Sequence, residues 1–202
     1  MATQALTLDI RNTRYFPGVF DIPNDGDAHP EFFDVVSRDS MLPRRRWCLL
    51  VEIKMHSEGT LRPTYEVKGV AGDEFRVAFY VGAPEFPTIV DHCQPGYTLA
   101  IMFAARNACI DDKLLIPVRT LREDIIQVLP CGIKEVYSIS DKMNSPTLCA
   151  ACRKPSSLKC GRCGLPFCDA VCMKENWKVE HKRQCVVAQK LREWSALDWE
   201  KF

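Results

Sequence analysis

The sequence contains no apolar run near the roughly 20 residues that crossing a bilayer requires. Its start, MATQALTLDIRNTRYF, lacks both the basic opening and the apolar stretch of a secretory signal. These absences predict a protein of the nucleus or cytoplasm, neither secreted nor membrane-bound. Glycine and proline number 10 and 13 in 202 residues, too few for collagen-like or low-complexity chains. No glycine-rich phosphate loop and no Gly-x-Ser-x-Gly elbow occurs. Asp91-His92-Cys93 sets a thiol beside a base, but neighbours on an extended segment point to opposite sides. Asp111-Asp112 reads as a charged turn. The expectation is that the protein is not an enzyme and has no catalytic residues.

What is present is apolar bulk and an uneven distribution of cysteine. Hydrophobic residues make up 47% of the chain, enough for a packed core. Of 11 cysteines, Cys48, Cys93, Cys109 and Cys131 are scattered, and seven fall between Cys149 and Cys185. Charge divides at the same place. Residues 1–148 carry 16 Lys+Arg against 20 Asp+Glu, a net of −4, whereas residues 149–202 carry 11 against 6, a net of +5. In a chain without a secretory signal such a cysteine cluster points to reduced thiols and metal rather than disulfides.

The cluster reads Cys149-x2-Cys152-x7-Cys160-x2-Cys163-x4-Cys168-x3-Cys172-x8-His181-x3-Cys185, eight soft ligands in 37 residues. Eight ligands suit two tetrahedral zinc ions with no open position, so the metals are expected to be structural cofactors. Cys149/Cys152 and Cys160/Cys163 are knuckles with two sulfurs in reach of one ion. Cys168/Cys172 and His181/Cys185 are i, i+4 pairs suited to helices starting near Pro166 and Trp177. Four halves combine into two sites in three ways, and spacing does not choose among them. Seven thiolates and two zinc ions would bring the tail from +5 to +2, so its lysines and arginines read largely as counter-charges rather than as a nucleic-acid surface.

With an aromatic, Phe167, before the fifth ligand and Trp177-Lys178 before the histidine, this stretch resembles the MYND-type zinc finger. That resemblance implies interleaved sites: Cys149, Cys152, Cys168 and Cys172 on one zinc, and Cys160, Cys163, His181 and Cys185 on the other. It also implies a protein-recruiting role, since some MYND fingers bind short proline-containing peptides beside the second zinc. The family's groove uses the helix Trp, a Gln after the sixth ligand and a small hydroxyl residue inside the second knuckle. Here those positions hold Trp177, Met173 and Gly161, the candidate partner-binding residues. Eight residues precede the histidine where seven are usual.

Beyond Cys185, Val187, Leu191 and Trp194 recur at i, i+4, i+7, which predicts a C-terminal helix over 186–202 whose apolar face is covered by the N-terminal domain. Residues 1–46 read as an extended arm, with Arg44-Arg45-Arg46 a solvated charge run. From Trp47 the pattern becomes strand-like: Leu49 to Met55, Tyr65 to Gly69, Phe75 to Phe79, Thr98 to Ala105, Leu114 to Val118 and Ile125 to Leu129. This succession resembles an OB-type barrel over 47–137, joined by a linker, 138–148, to the finger at 149–185. The expected class is therefore α+β, an all-β OB-like domain followed by a two-zinc finger and a helix. The expected function is a zinc-binding adaptor that recruits protein partners. The alternative is a nucleic-acid binder whose barrel uses Tyr65, Lys68, Arg76, Tyr80 and Arg106 to hold a single strand.

Overall fold

The computed structural model describes residues 8–37, 40–58, 60–108 and 113–202, so Cys109 and Asp111-Asp112 lie outside the described residues. The chain divides into two compact units. One comprises residues 12–129 with 198–202, and the other residues 130–197 with the segment ending at Arg11.

The first unit is built on β3 (Cys48–His56), whose inward residues Leu49, Val51 and Ile53 are fully buried. β3 pairs through its first half with β6 (Thr98–Met102) and through its second with β4 (Thr64–Gly69), and an irregularity between Ile53 and Met55 bends it between the two. β4 pairs with β5 (Glu74–Phe79) across a turn at Gly72, whose φ of 100° suits glycine. A short helix, α1 (Phe86–His92), then leads to β6. β8 (Leu114–Val118) returns parallel to β5. β7 (Asn107–Ala108) and β9 (Ile126–Leu129) complete a seven-stranded sheet of order β7-β8-β5-β4-β3-β6-β9. A three-strand meander, a helix, a strand returning to the first and another running parallel to the third is OB-like connectivity. The core holds Tyr65, Val67, Phe75, Val77, Phe79, Leu99 and Ile116. Trp47 lies at its end, donating its indole N–H to the Ala104 carbonyl at 2.9 Å and meeting Phe32, Phe33 and Phe103 edge-on.

Residues 12–46 are not a free arm. Phe16, Val19, Ile22 and Phe32 are buried, and β1 (Phe33–Ser37) pairs with β2 (Ser40–Pro43). Nor is the arginine run solvated as a whole. Arg45 is 3% exposed, with its guanidinium over Phe32, donating to Glu31 and to the Arg14 carbonyl. Arg46 reaches the backbone of Asp198 and Lys201. Those contacts belong to a C-terminal strap, residues 198–202. Its Trp199 stacks on Phe16 at 4.8 Å, and its Glu200 accepts from Arg14 and Tyr15.

The second unit corrects two expectations. Residues 138–148, expected as a linker, are helical over their first six, where α2 (Ile133–Met143) ends. Its Ile133, Val136, Ile139 and Ser140 form a buried face at helical spacing. The C-terminal helix, α4, spans Lys182–Ser195, and residues 196–202 leave it. The apolar face of α4, Val187, Ala188, Leu191 and Trp194, is buried where α4 packs against α2. Arg11 adds a bidentate pair to Asp141 and lies over Tyr137. Between the two helices the chain forms β10 (Leu158–Lys159), β11 (Pro166–Phe167), α3 (Ala170–Asn176) and a single π-helical turn, Trp177–His181.

Candidate metal centre

The two knuckles fold alike. In the first, Arg153 N–H donates to the Cys149 carbonyl at 3.0 Å and Cys149 N–H to the Lys154 carbonyl at 2.7 Å. In the second, Gly164 donates to Cys160 and Cys160 to Leu165, both at 2.8 Å. The residue after each second cysteine takes a positive φ, 62° at Arg153 and 83° at Gly164. The turn therefore uses glycine's freedom once and imposes a left-handed conformation on an arginine once.

The remaining halves come from α3 and α4. Asp169, at the start of α3, accepts from Cys172 N–H at 2.7 Å and fixes Cys172 in the first turn, while Cys168 precedes the helix. The helix thus begins four residues after Pro166. A regular α-helix turns about 100° per residue, and a π turn takes up one extra residue. The π turn at Trp177–His181 absorbs the long spacing from Cys172 and leaves the His181 Nε2 3.9 Å from the Cys163 Sγ.

The eight side chains gather into two groups, Cys149, Cys152, Cys168 and Cys172 in one and Cys160, Cys163, His181 and Cys185 in the other, with ligand atoms within 4.8 Å of one another in each. In the first group the Sγ separations are 3.7 Å (Cys149–Cys172), 3.6 Å (Cys152–Cys168) and 4.0 Å (Cys152–Cys172). Four sulfurs at Zn–S bonds of about 2.3 Å in a tetrahedron stand roughly 3.8 Å apart, so this donor set fits one ion. The thiols are pulled in opposite directions: burial pushes those of Cys163, Cys168, Cys172 and Cys185 up, whereas the backbone lowers the first cysteine of each knuckle. Burial pushes the Cys149 thiol up, but hydrogen bonds from the backbone at Cys152, Ala151 and Cys168 outweigh it and bring the thiol down to about 6. Cys160 is lowered in the same way, against its own burial, by the backbone at Cys163 and Arg162. Burial, then the Lys142 charge, lowers the His181 pKa and keeps the ring neutral with a lone pair to give.

Of the candidate partner-binding residues, Trp177 is half-buried with its ring 5.4 Å from that of His181, and its backbone N–H donates to the Met173 carbonyl one turn earlier. Gly161 is exposed in the second knuckle, where an added Cβ would meet nothing within 4 Å. Val171 and Val179 nearby in sequence are exposed, 65% and 78%. The sequence reading missed Asp169, although an Asp three residues before Cys172 is a recognisable helix cap.

The barrel's candidates are largely committed to internal contacts. Tyr65 is buried in the core, Arg76 pairs with Glu66 at 2.8 Å, and Arg106 bonds Asn24 and the Phe20 carbonyl. On the outward side of β3, β4 and β5, Glu52 faces Lys68, which faces Glu74. Cys93 is buried and its thiol pushed up to about 12, while His92 bonds the Thr88 carbonyl. Among the described residues no helix is long and apolar enough to cross a membrane.

No protein-family model and no curated protein matches the sequence. Solved structures similar to part of the chain include the mitochondrial single-stranded DNA binding protein of S. cerevisiae, at 10% identity, 43% of this chain, 94% of that chain and a TM-score of 0.33. Another is S. pombe Pot1pC bound to ssDNA, at 9% identity, 48% of this chain, 86% of that chain and a TM-score of 0.32. A third is the S. pombe Stn1-Ten1 complex, at 12%, 50%, 68% and 0.29. At these scores the likeness adds nothing to the strand order, on which the OB-like assignment rests.

Proposed function

We propose that this protein is a zinc-dependent adaptor in which a finger of the MYND type, held by two structural zinc ions, recruits a protein partner. The observation that carries this reading is the pair of interleaved four-donor groups, with Trp177 set against His181 of the second and Met173 one turn before it on the same helix. Zinc supplies cross-links and no reaction, because four protein donors fill each tetrahedral site. The chain's own residues do the rest. The knuckle backbones gather the sulfurs and favour the thiolate at Cys149 and Cys160, Asp169 anchors α3, and the π turn sets Trp177 against His181. The half-buried Trp177 and flexible Met173 then offer an adaptable apolar contact. Met173 and Gly161 cannot supply the amide and hydroxyl hydrogen bonds of a proline-peptide groove, so the partner is read as an apolar segment not restricted to proline.

The test is affinity capture from native extract with the full chain and with Trp177→Ala, with zinc measured on both. A partner set lost in the variant while both hold two zinc ions supports recruitment. A set unchanged by Trp177→Ala overturns it. A second reading draws on the barrel. Leu61, 94% exposed in the β3–β4 loop, and Arg62, 3.9 Å over the Tyr80 ring, occupy a loop that OB barrels use for oligonucleotides. A fluorescent single strand that binds the full chain, with affinity falling steeply as salt rises, favours that reading.

A further inference from the structure

The two ligand groups differ in how far water reaches them. His181, Cys163 and Cys185 are at most 1% exposed and Cys160 is 8% exposed, and the buried Phe167 ring meets that of His181 at 4.9 Å. In the other group only Cys149 is buried. Cys168 and Cys172 are half-exposed, and Cys152 is open to solvent. A thiolate must be reached before it can react, so the open centre, which also carries one more anionic sulfur, is the more reactive of the two.

We infer that Cys152 is a modification site for soft electrophiles of the Michael-acceptor class, and that its modification empties the first zinc centre while the second keeps its ion. This rests on the zinc reading above and deepens it. In the step, a Cys152 sulfur lone pair forms a bond to the β-carbon of the acceptor. The acceptor's π pair takes a proton from water at the α-carbon. The product is a neutral thioether, a weaker donor than thiolate, and the Cys152–metal bond is lost. Three anionic donors remain, on Cys149, Cys168 and Cys172, and a competing chelator removes the ion. The structural consequence follows from where those residues sit. Cys149 anchors the first knuckle and Cys172 the first turn of α3, so α3 and the Met173–Trp177 surface loosen. His181 and Cys185, at the start of α4, stay ligated. The centre would then grade partner recruitment without unfolding α4 from α2.

The experiment uses the full chain carrying two zinc ions, treated with N-ethylmaleimide in the presence of a chromophoric chelator, with adducts mapped by mass spectrometry. One zinc equivalent is expected to leave in a first phase with the adduct on Cys152, and the second at least about tenfold more slowly, because its ligands react only after local opening. In Cys152→His, which keeps a fourth donor but removes the exposed thiolate, the first phase is expected to slow severalfold. Release of both ions in one phase, or a first zinc-releasing adduct on Cys160, Cys163 or Cys185, overturns the inference even if the variant fails to hold metal. A chain that binds no zinc overturns the zinc reading itself, which separates the two failures.

Discussion

Removing zinc is expected to unfold the finger and leave the barrel standing. Within residues 149–181 the strands are two residues long and α3 only seven, and the fully buried apolar side chains there besides ligands are Leu165 and Phe167. At roughly 1.5–3 kcal/mol each, these two contribute far less than one structural zinc, about 10–16 kcal/mol in apparent terms. The segment therefore has no stable fold of its own once both ions are gone. The barrel core of Leu49, Val67, Phe75 and Leu99 depends on neither site. Hydrogen exchange with and without a strong chelator reads this directly. The amides of Cys149, Ala150, Cys160 and Gly164, all bonded to finger carbonyls, should move to the exchange rates of an unfolded peptide. Those of Met102 and Phe103, bonded to Ile125 and Trp47, should not change. Finger amides that stay protected in chelator would refute the reasoning, since the segment would then be held by packing alone.

Two further outcomes bear on single residues. Asp169→Ala removes the acceptor for Cys172 N–H and should weaken zinc binding at the first centre a few-fold, leaving the second unchanged, while Asp169→Asn, which keeps an acceptor, restores most of it; chelator competition measures both. Glu200 is held down to about 2, first by its hydrogen bonds from Arg14 and then from Tyr15. Its folded pKa lies below the unfolded one, so its stabilisation is complete above the ordinary carboxylate range and fades as pH falls from there towards 2. Glu200→Gln should flatten that part of the acid limb of stability, followed by thermal denaturation at stepped pH.

The strands were legible because period-2 alternation and flanking turns act locally, and the expected strands from Leu49 to Leu129 fall within a few residues of the observed ones. The ligand set was legible because half-site spacing is imposed by chain geometry. The residues around them were less so. Ile133, Val136 and Ile139 carry a helical period, but they follow a strand directly and sit beside the turn-rich Asn144-Ser145-Pro146, which masks them as a connection. Arg45 shows why composition misleads: three consecutive arginines suggest solvation, and only the fold reveals that Phe32 and Glu31 close over the middle one. The strap was invisible for a related reason. Trp199 and Phe202 belong to an apparent helix by composition, but Asp198 begins a return to residues 12–46 that no local signal encodes.

That return decides where the chain can be divided. A cut at 148 follows the composition, yet it would strip α4 from α2, exposing Val136 and Ile139, and would take the strap from the barrel unit. The smaller cut is the sharper test. Ending the chain at Leu197 leaves every zinc ligand and all of α4 in place and removes Trp199, 5% exposed, with its backbone bond from Arg46 and its contacts to Phe16 and Tyr15. Loss of a buried Trp costs about 3–5 kcal/mol, which should lower the barrel's Tm by on the order of 10 °C while zinc content stays at two. Trp199→Phe, which keeps an aromatic on Phe16, should recover more than half of the loss. An unchanged Tm in the shortened chain would mean that Phe16 and Tyr15 are held by the barrel alone, and the strap would then be only a surface tail.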